Sequence, residues 1–420
     1  MSLNIRRNIK SARFRQIISL YGATLLSIVL GVGVSKLNTH LLTPLEYGNL
    51  KYIEKIFVIG TTILSFGLFT TIKSLIPRIS SSARKGRFLG ASLVILLAVS
   101  GILTLCLIGF AFIQPLLFEQ DLRWFLLISS FLAIAIAGER FLQSVLTGDN
   151  EIQKLSLFRL LPRILNIVFI LPFLWFFTFN VTYAWFAKLI GILIAFIIIY
   201  AGLRPRFGGL RTNVNLILRH NKTFGLHIYT GALFGVLSGQ LAVVFISYFT
   251  RDNTYVGYFS LANMTTMPLM LVPSIVGETF FKDFARSKCI KKKILSSTVL
   301  ISSFTLVLFF LTIKPVMLLL FGQEFAIAAD LARILVIGKI LYGFADIFNR
   351  FLSAHRMGKY IRNSAIMTGI VSFLGNVFAI KLLGVNGAVL TVVAAGSTYL
   401  MMCIYYYRKF IRTSATPPGP

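Results

Sequence analysis

Acidic residues are scarce in this chain. Asp and Glu together number 13 among 420 residues, against 42 Lys and Arg, and charged residues of both signs make up only 13% of the sequence. A soluble globular chain carries about a quarter charged residues, so the shortage excludes an ordinary water-facing surface. Cysteine is nearly absent too. Cys106 and Cys403 lie in apolar runs and Cys289 in a basic loop, which excludes a disulfide framework. The sequence also lacks a Walker A loop, an HExxH zinc motif, a Gly-rich dinucleotide fingerprint and a G-x-S-x-G elbow. No connection between apolar runs is long enough for a catalytic domain, so the chain is not expected to be an enzyme, and no cofactor is expected.

What fills the chain is apolar: 56% of residues are hydrophobic and the mean hydropathy is +0.82. The apolar residues come in runs of about 18 to 26, long enough to cross a hydrocarbon core of about 30 Å at 1.5 Å per residue as helices, and too long for barrel strands. The predicted spans are 16–39, 50–76, 88–112, 122–147, 157–177, 181–203, 222–249, 256–281, 294–320, 331–353, 362–382 and 387–407. The fold class is therefore an all-α polytopic membrane protein of about twelve transmembrane helices. The first run follows a basic stretch but has no small-residue cleavage site, and reads as an uncleaved span.

The net charge of +29 could attract nucleic acid, but its placement argues otherwise. Roughly thirty of the Lys and Arg fall in the odd-side segments, as the positive-inside rule expects of cytoplasmic loops. They include Arg6, Arg7, Lys10, Arg13 and Arg15, then Arg78, Arg84, Lys85 and Arg87, and later Arg204, Arg206, Arg211, Arg219 and Lys222. Lys282, Arg286, Lys288, Lys291, Lys292, Lys293, Arg356, Lys359, Arg362, Arg408, Lys409 and Arg412 continue the pattern. Both termini are thus expected inside. The partners expected of these loops are membrane lipid headgroups, not nucleic acid.

The longest hydrophilic connection divides the chain into a six-helix bundle at 1–203, a cytoplasmic linker at 204–221 and a second bundle at 222–420. The halves echo one another: Tyr47-Gly48 resembles Val256-Gly257-Tyr258, Gln143-Ser144 resembles Asn349-Arg350, and Val181–Ala184 resembles Val385–Ala388. An even number of helices per half makes the repeats parallel. Asn180-Val181-Thr182 matches a glycosylation sequon but sits in a tight turn between spans, where the match is accidental.

Ionisable residues in a span are costly, so each is a functional candidate. Lys73, Lys282, Lys314, Arg333 and Lys381 are near enough to an interface to snorkel, and His227 reads as a packing residue. Glu139, Arg140, Lys188, Lys339 and Asp346 lie roughly 4 to 8 Å from the midplane; they either form a site or pair with one another structurally. Lys51, Glu54 and Lys55 share a helix face at i, i+3 and i+4, close to Lys36, Asn38 and His40. Gly231, Gly235 and Gly239 recur at i+4, a spacing that favours close helix packing, with a hinge or cavity lining as the alternative, and Gln240 follows them. Asn263, Thr265 and Thr266 precede Pro268 and Pro273, which are expected to break or bend that helix, and Glu278 lies toward the cytoplasm.

Leu42-Thr43-Pro44-Leu45-Glu46-Tyr47-Gly48, the hydrophilic start of the next span, the Gln143–Lys154 stretch and the twelve-span layout resemble the O-antigen and polysaccharide flippases (Wzx, or polysaccharide transporter, family). That family belongs to the multidrug/oligosaccharidyl-lipid/polysaccharide exporter superfamily. The resemblance implies two six-helix bundles in a V around a central cavity. It also implies translocation of an undecaprenyl-diphosphate-linked oligosaccharide between leaflets of a bacterial inner membrane, beside a polysaccharide polymerase and chain-length machinery. Substrate-binding candidates are Lys36, Asn38, Lys51, Lys55, Arg140, Lys188, Gln240, Asn263 and Lys339. Proton or sodium coupling is expected through Glu54, Glu139, Glu278 or Asp346. The rival readings are a multidrug cation antiporter, a lipid II flippase and a membrane-embedded polymerase.

Overall fold

The computed structural model describes the backbone of residues 12–173 and 178–415, and side chains there except at 12–21, 227, 228, 230–232, 234–238, 282 and 413–415. Arg6, Arg7 and Lys10, the side chains of Arg13, Arg15, His227 and Lys282, the surroundings of Gly231 and Gly235, and part of the fifth predicted span lie outside what is described. The chain runs α1 (Ala12–Leu41), α2 (Pro44–Leu64), α3 (Leu68–Leu75), α4 (Ser82–Leu117), α5 (Arg123–Ser130), α6 (Ala133–Gly148), α7 (Ile152–Ile170) and α8 (Val181–Ala201). It continues with α9 (Leu210–His220), α10 (Leu226–Thr250), α11 (Thr254–Thr279), α12 (Phe281–Arg286), α13 (Lys292–Phe321), α14 (Ala326–Ala354), α15 (Gly358–Leu383) and α16 (Val385–Ala415). Each predicted span is met by one helix or by a bent pair.

Seven of the described helices, or nine spans when each bent pair counts as one, have the length and hydropathy to cross a membrane. The α14 helix falls short because it carries Asp330, Arg333, Lys339, Asp346 and Arg350. Such a helix can enter a bilayer only where neighbours cover its charges. On α13 the outward face is Leu300, Phe304, Leu311 and Leu319, each more than two-thirds exposed, a surface that only hydrocarbon would solvate.

Two predicted spans are broken. The α2–α3 pair bends by 64° and the α5–α6 pair by 53°. At the first break Phe66 has φ 44° and Gly67 φ 77°, so the chain leaves the right-handed helix at the residue that tolerates it best. The expected break at Pro268 and Pro273 does not occur: α11 runs unbroken through both. The hydroxyls of Thr265 and Thr266 donate to carbonyls one turn back. The linker is not a coil throughout, since α9 lies in it and packs on α4. Asn180 caps α8, its Oδ1 accepting from the amides of Thr182 and Tyr183 at 3.0 and 3.1 Å; that capping role accounts for the residue.

The chain forms two compact units, 1–43 with 56–230, and 44–55 with 231–420. This division differs from the predicted halves at two places. Residues 204–230 belong with the first unit because Asn221 binds Thr71 and the Phe66 carbonyl. Pro44–Lys55, the start of α2, belongs with the second because it docks on α11. There Gly48 lies so close to the Asn253 backbone that any Cβ would collide with its carbonyl oxygen. Tyr47 and Tyr258, the paired residues of the sequence echo, both meet Phe325 edge-on, at 5.7 and 6.1 Å between ring centres.

In the first unit α7 packs between α1 and α8, and α6 between α3, α4 and α8. In the second, α14 is the central helix, packed on α11, α13 and α16, with α15 on α16. Gly338 of α14 lies so close to the α16 backbone at Val392 and Val393 that a Cβ there would crowd it.

Candidate functional site

A cavity of about 390 Å³ lies inside the second unit, within the range of about 300 to 1,000 Å³ typical of small-molecule sites. Five helices supply its wall: α10 with Gly239 and Gln240, α11 with Phe259, Asn263, Met267 and Met270, and α14 with Lys339 and Tyr342. The other two are α15 with Thr368, Ser372 and Asn376, and α16 with Thr391 and Tyr399. Gly239 therefore borders open space, with nothing near the position of a Cβ, which fits cavity lining, the alternative to close packing for this glycine stripe.

The lining is polar but has one sign of charge. Among the described lining side chains Lys339 is the only Lys, Arg, Asp or Glu. Lys55, from the docked start of α2, lies near enough to Lys339 for the two like charges to repel. The hydroxyls of Thr368 and Thr391 donate to helix carbonyls at Ser364 and Gly387, at 2.8 and 2.7 Å. Their oxygens keep lone pairs for a ligand donor. Gln240 Oε1 is buried without a partner. Tyr342 shares a hydrogen bond with Ser372, and its ring lies 5.7 Å from that of Tyr399. Among the described residues no group of three His, Cys, Asp or Glu could hold a metal ion.

Of the candidates read from sequence, Gln240, Asn263 and Lys339 line this cavity and Lys55 stands beside it. Lys51 belongs to the same unit but pairs with Glu54 at 3.5 Å and lies 5.1 Å from the Tyr47 ring centre. Asp346 pairs with Arg350 at 3.4 Å, one turn along α14, and Glu278 is exposed at the end of α11.

The remaining candidates belong to the first unit. Lys36 is exposed there, while Asn38 is buried with its Oδ1 lacking a partner. Glu139 accepts from Gln143 at 3.4 Å and lies beside Arg140, and Lys188 sits 5.7 Å from the Trp185 ring centre. The first unit also holds two bases that sequence reading passed over. Because α7 begins at Ile152, Arg159 and Arg163 lie about 10 and 16 Å along it at 1.5 Å per residue. Arg159 bonds the Thr24 hydroxyl and Arg163 packs on Gly31 of α1.

The polar wall from α15 and α16 was also missed, though a signal was present. Ser364, Thr368, Ser372 and Asn376 recur at i+4 along one face of an otherwise apolar span. Such a stripe in lipid needs a polar surface to face.

A model of the family described as polysaccharide biosynthesis protein matches residues 14–287, more than half of the chain. The chain belongs to the polysaccharide biosynthesis protein family. Solved structures share its fold across nearly its whole length. The lipid II flippase MurJ, in an inward closed conformation, aligns with TM-score 0.73 and 16% identity over 94% of this chain and 89% of that one. An inward-facing multidrug resistance MATE family transporter of the MOP superfamily aligns with TM-score 0.71 and 15% identity over 96% and 100%. A MOP superfamily transporter from Pyrococcus furiosus, described as having a binding pocket of reverse polarity, aligns with TM-score 0.60 and 16% identity over 98% of each chain. No curated protein sequence matches the chain. The family member is thus a multi-pass membrane protein with the all-α fold of flippases and transporters, as the sequence resemblance implied.

Proposed function

We propose that this member of the polysaccharide biosynthesis protein family is a flippase. It carries an anionic, undecaprenyl-diphosphate-linked oligosaccharide from the cytoplasmic to the periplasmic leaflet of a bacterial inner membrane, with both termini inside. The observation that carries the reading is a cavity whose described lining includes Lys339 and no carboxylate. An ammonium group in a low-dielectric site is costly to hold alone, and an entering anion relieves that cost through charge-assisted hydrogen bonds. A lipid-linked glycan has a headgroup that hydrocarbon rejects and a tail that water rejects, and a cavity within a helix bundle shelters the first while lipid keeps the second.

Alternating access by the two repeats would expose the site to each side in turn. Energy is proposed to come from a proton or sodium gradient, with Glu139 and Asp346 as the carboxylates at depth. A cation antiporter would need a carboxylate where this cavity has Lys339, which disfavours that rival. The reading is tested by purified protein in proteoliposomes containing a fluorescent undecaprenyl-diphosphate oligosaccharide. Inward-to-outward movement that depends on the protein and falls on replacing both Lys55 and Lys339 supports it. Movement of a cationic dye in place of the lipid overturns it.

A further inference from the structure

We infer that the cavity of the second unit is a subsite for one acidic sugar ring, which it holds by a carboxylate on Lys339 and by ring hydroxyls on its uncharged wall. The inference rests on the flippase reading and names the part of the substrate that enters the cavity.

Three observations point to a sugar and away from the diphosphate or a lone ion. The first is the balance of donors and acceptors. Thr368 and Thr391 have committed their hydroxyl protons to helix carbonyls, and Gln240 presents a buried Oε1 with no partner. These atoms want a ligand that donates. The doubly esterified, ionised diphosphate offers only acceptors, whereas a sugar ring carries several O–H donors.

The second is charge. Lys339 is the one charged side chain in the described lining, with no carboxylate beside it, which favours an anion and repels a sodium ion. The third is shape. Tyr342 and Tyr399 stand side by side at 5.7 Å on a wall that also holds Phe259 and Met267. Such apolar and aromatic surface suits the C–H face of a pyranose ring, while the polar atoms take its edge.

The test uses the full-length protein. Equilibrium dialysis of the detergent-solubilised protein against radiolabelled glucuronic acid, glucose, inorganic phosphate and sodium should retain glucuronic acid about tenfold better than glucose or phosphate, the size of one charge-assisted hydrogen bond. Lys339→Gln should lose that preference and Lys339→Arg should keep it. Gly239→Leu, which places a side chain where nothing lies within 4 Å, should fill the cavity without a clash and lose retention of both sugars. This variant decides the matter if Lys339→Gln fails to elute as a folded monodisperse protein.

Equal retention of glucose and glucuronic acid, tighter retention of phosphate, competition by sodium, or an unchanged preference in both variants overturns the inference. In proteoliposomes, Lys339→Gln should slow a glucuronic-acid-bearing undecaprenyl diphosphate about tenfold more than a glucose-bearing one. Equal slowing of the two overturns the subsite and leaves the flippase standing. A wild-type protein that moves neither lipid removes the flippase reading, and the dialysis result alone then decides the subsite.

Discussion

Asn253, at the start of α11, donates its side-chain amide to Oδ1 of Asn49 at 2.7 Å, and both residues are buried. This bond holds the start of α2 on the second unit, beside the backbone contact at Gly48. Asn49→Ala would leave a buried donor unpaired, at a cost of about 1 to 3 kcal/mol, and a lowered midpoint of thermal unfolding in detergent is the expected reading. The short side chains at this distance also permit a covalent probe. With the native cysteines replaced, Asn49→Cys together with Asn253→Cys should form a disulfide that stops flipping in proteoliposomes, with activity returning on reduction. Undiminished flipping by the crosslinked protein would show that these residues stay together throughout the transport cycle.

The Lys55–Lys339 pair makes a prediction of opposite sign for stability and function. Removing one of two like charges in a low-dielectric setting relieves repulsion and desolvation together. Lys339→Met should therefore raise the unfolding midpoint of the empty protein while reducing restoration of surface polysaccharide in a flippase-null strain. A fall in both would mean that Lys339 is held by structure and not kept for a ligand. Stabilisation at the expense of activity is the pattern expected where a binding site stores unfavourable interactions.

The all-α, many-span fold was legible because it rests on a strong local signal, the length of the apolar runs, and each run is met by a helix or a bent pair. What the sequence hid depends on neighbours. The break between α2 and α3 falls at Phe66–Gly67, an unremarkable pair in an apolar run, whereas Pro268 and Pro273 advertise a break that the packed helix does not make. The depth of Arg159 and Arg163 was concealed by a helix start several residues earlier than hydropathy indicates. The cavity wall from α15 and α16 consists of single hydroxyls and amides, each compatible with an ordinary helix; only the i+4 recurrence of Ser364, Thr368, Ser372 and Asn376 betrays it. Asn49 and Asn253, which meet across 204 residues of sequence, are polar residues near span ends and carry no signal by themselves.

In the first unit, Thr71 donates to Oδ1 of Asn221 at 2.7 Å and the Asn221 amide donates to the Phe66 carbonyl at 3.0 Å. A Cβ at Gly225 would collide with both the Asn221 and Thr71 side-chain oxygens. Gly225→Ala should break the pair and cost about 2 kcal/mol or more through buried groups left unpaired and forced apart. Thr71→Val, which removes the donor without adding bulk, should cost less. The two unfolding midpoints, measured side by side, separate steric displacement from loss of the hydrogen bond, and equal values would show that Gly225 has room the structure denies it.

Asp346 is the sharpest case for energy coupling. It sits on α14, seven residues beyond Lys339 and so about two turns along the same helix, and its carboxylate already holds Arg350 at 3.4 Å. Half-exposed i,i+4 pairs are worth only about 0.3 to 0.5 kcal/mol, so Asp346→Asn should leave the unfolding midpoint nearly unchanged. That separates folding from coupling. If the carboxylate carries the coupling proton, the variant should flip lipid at equal rates with and without an imposed proton gradient, whereas the wild type accelerates with it. A variant that still responds fully to the gradient assigns Asp346 to its ion pair with Arg350 and moves the coupling role to Glu139, where Glu139→Gln repeats the measurement.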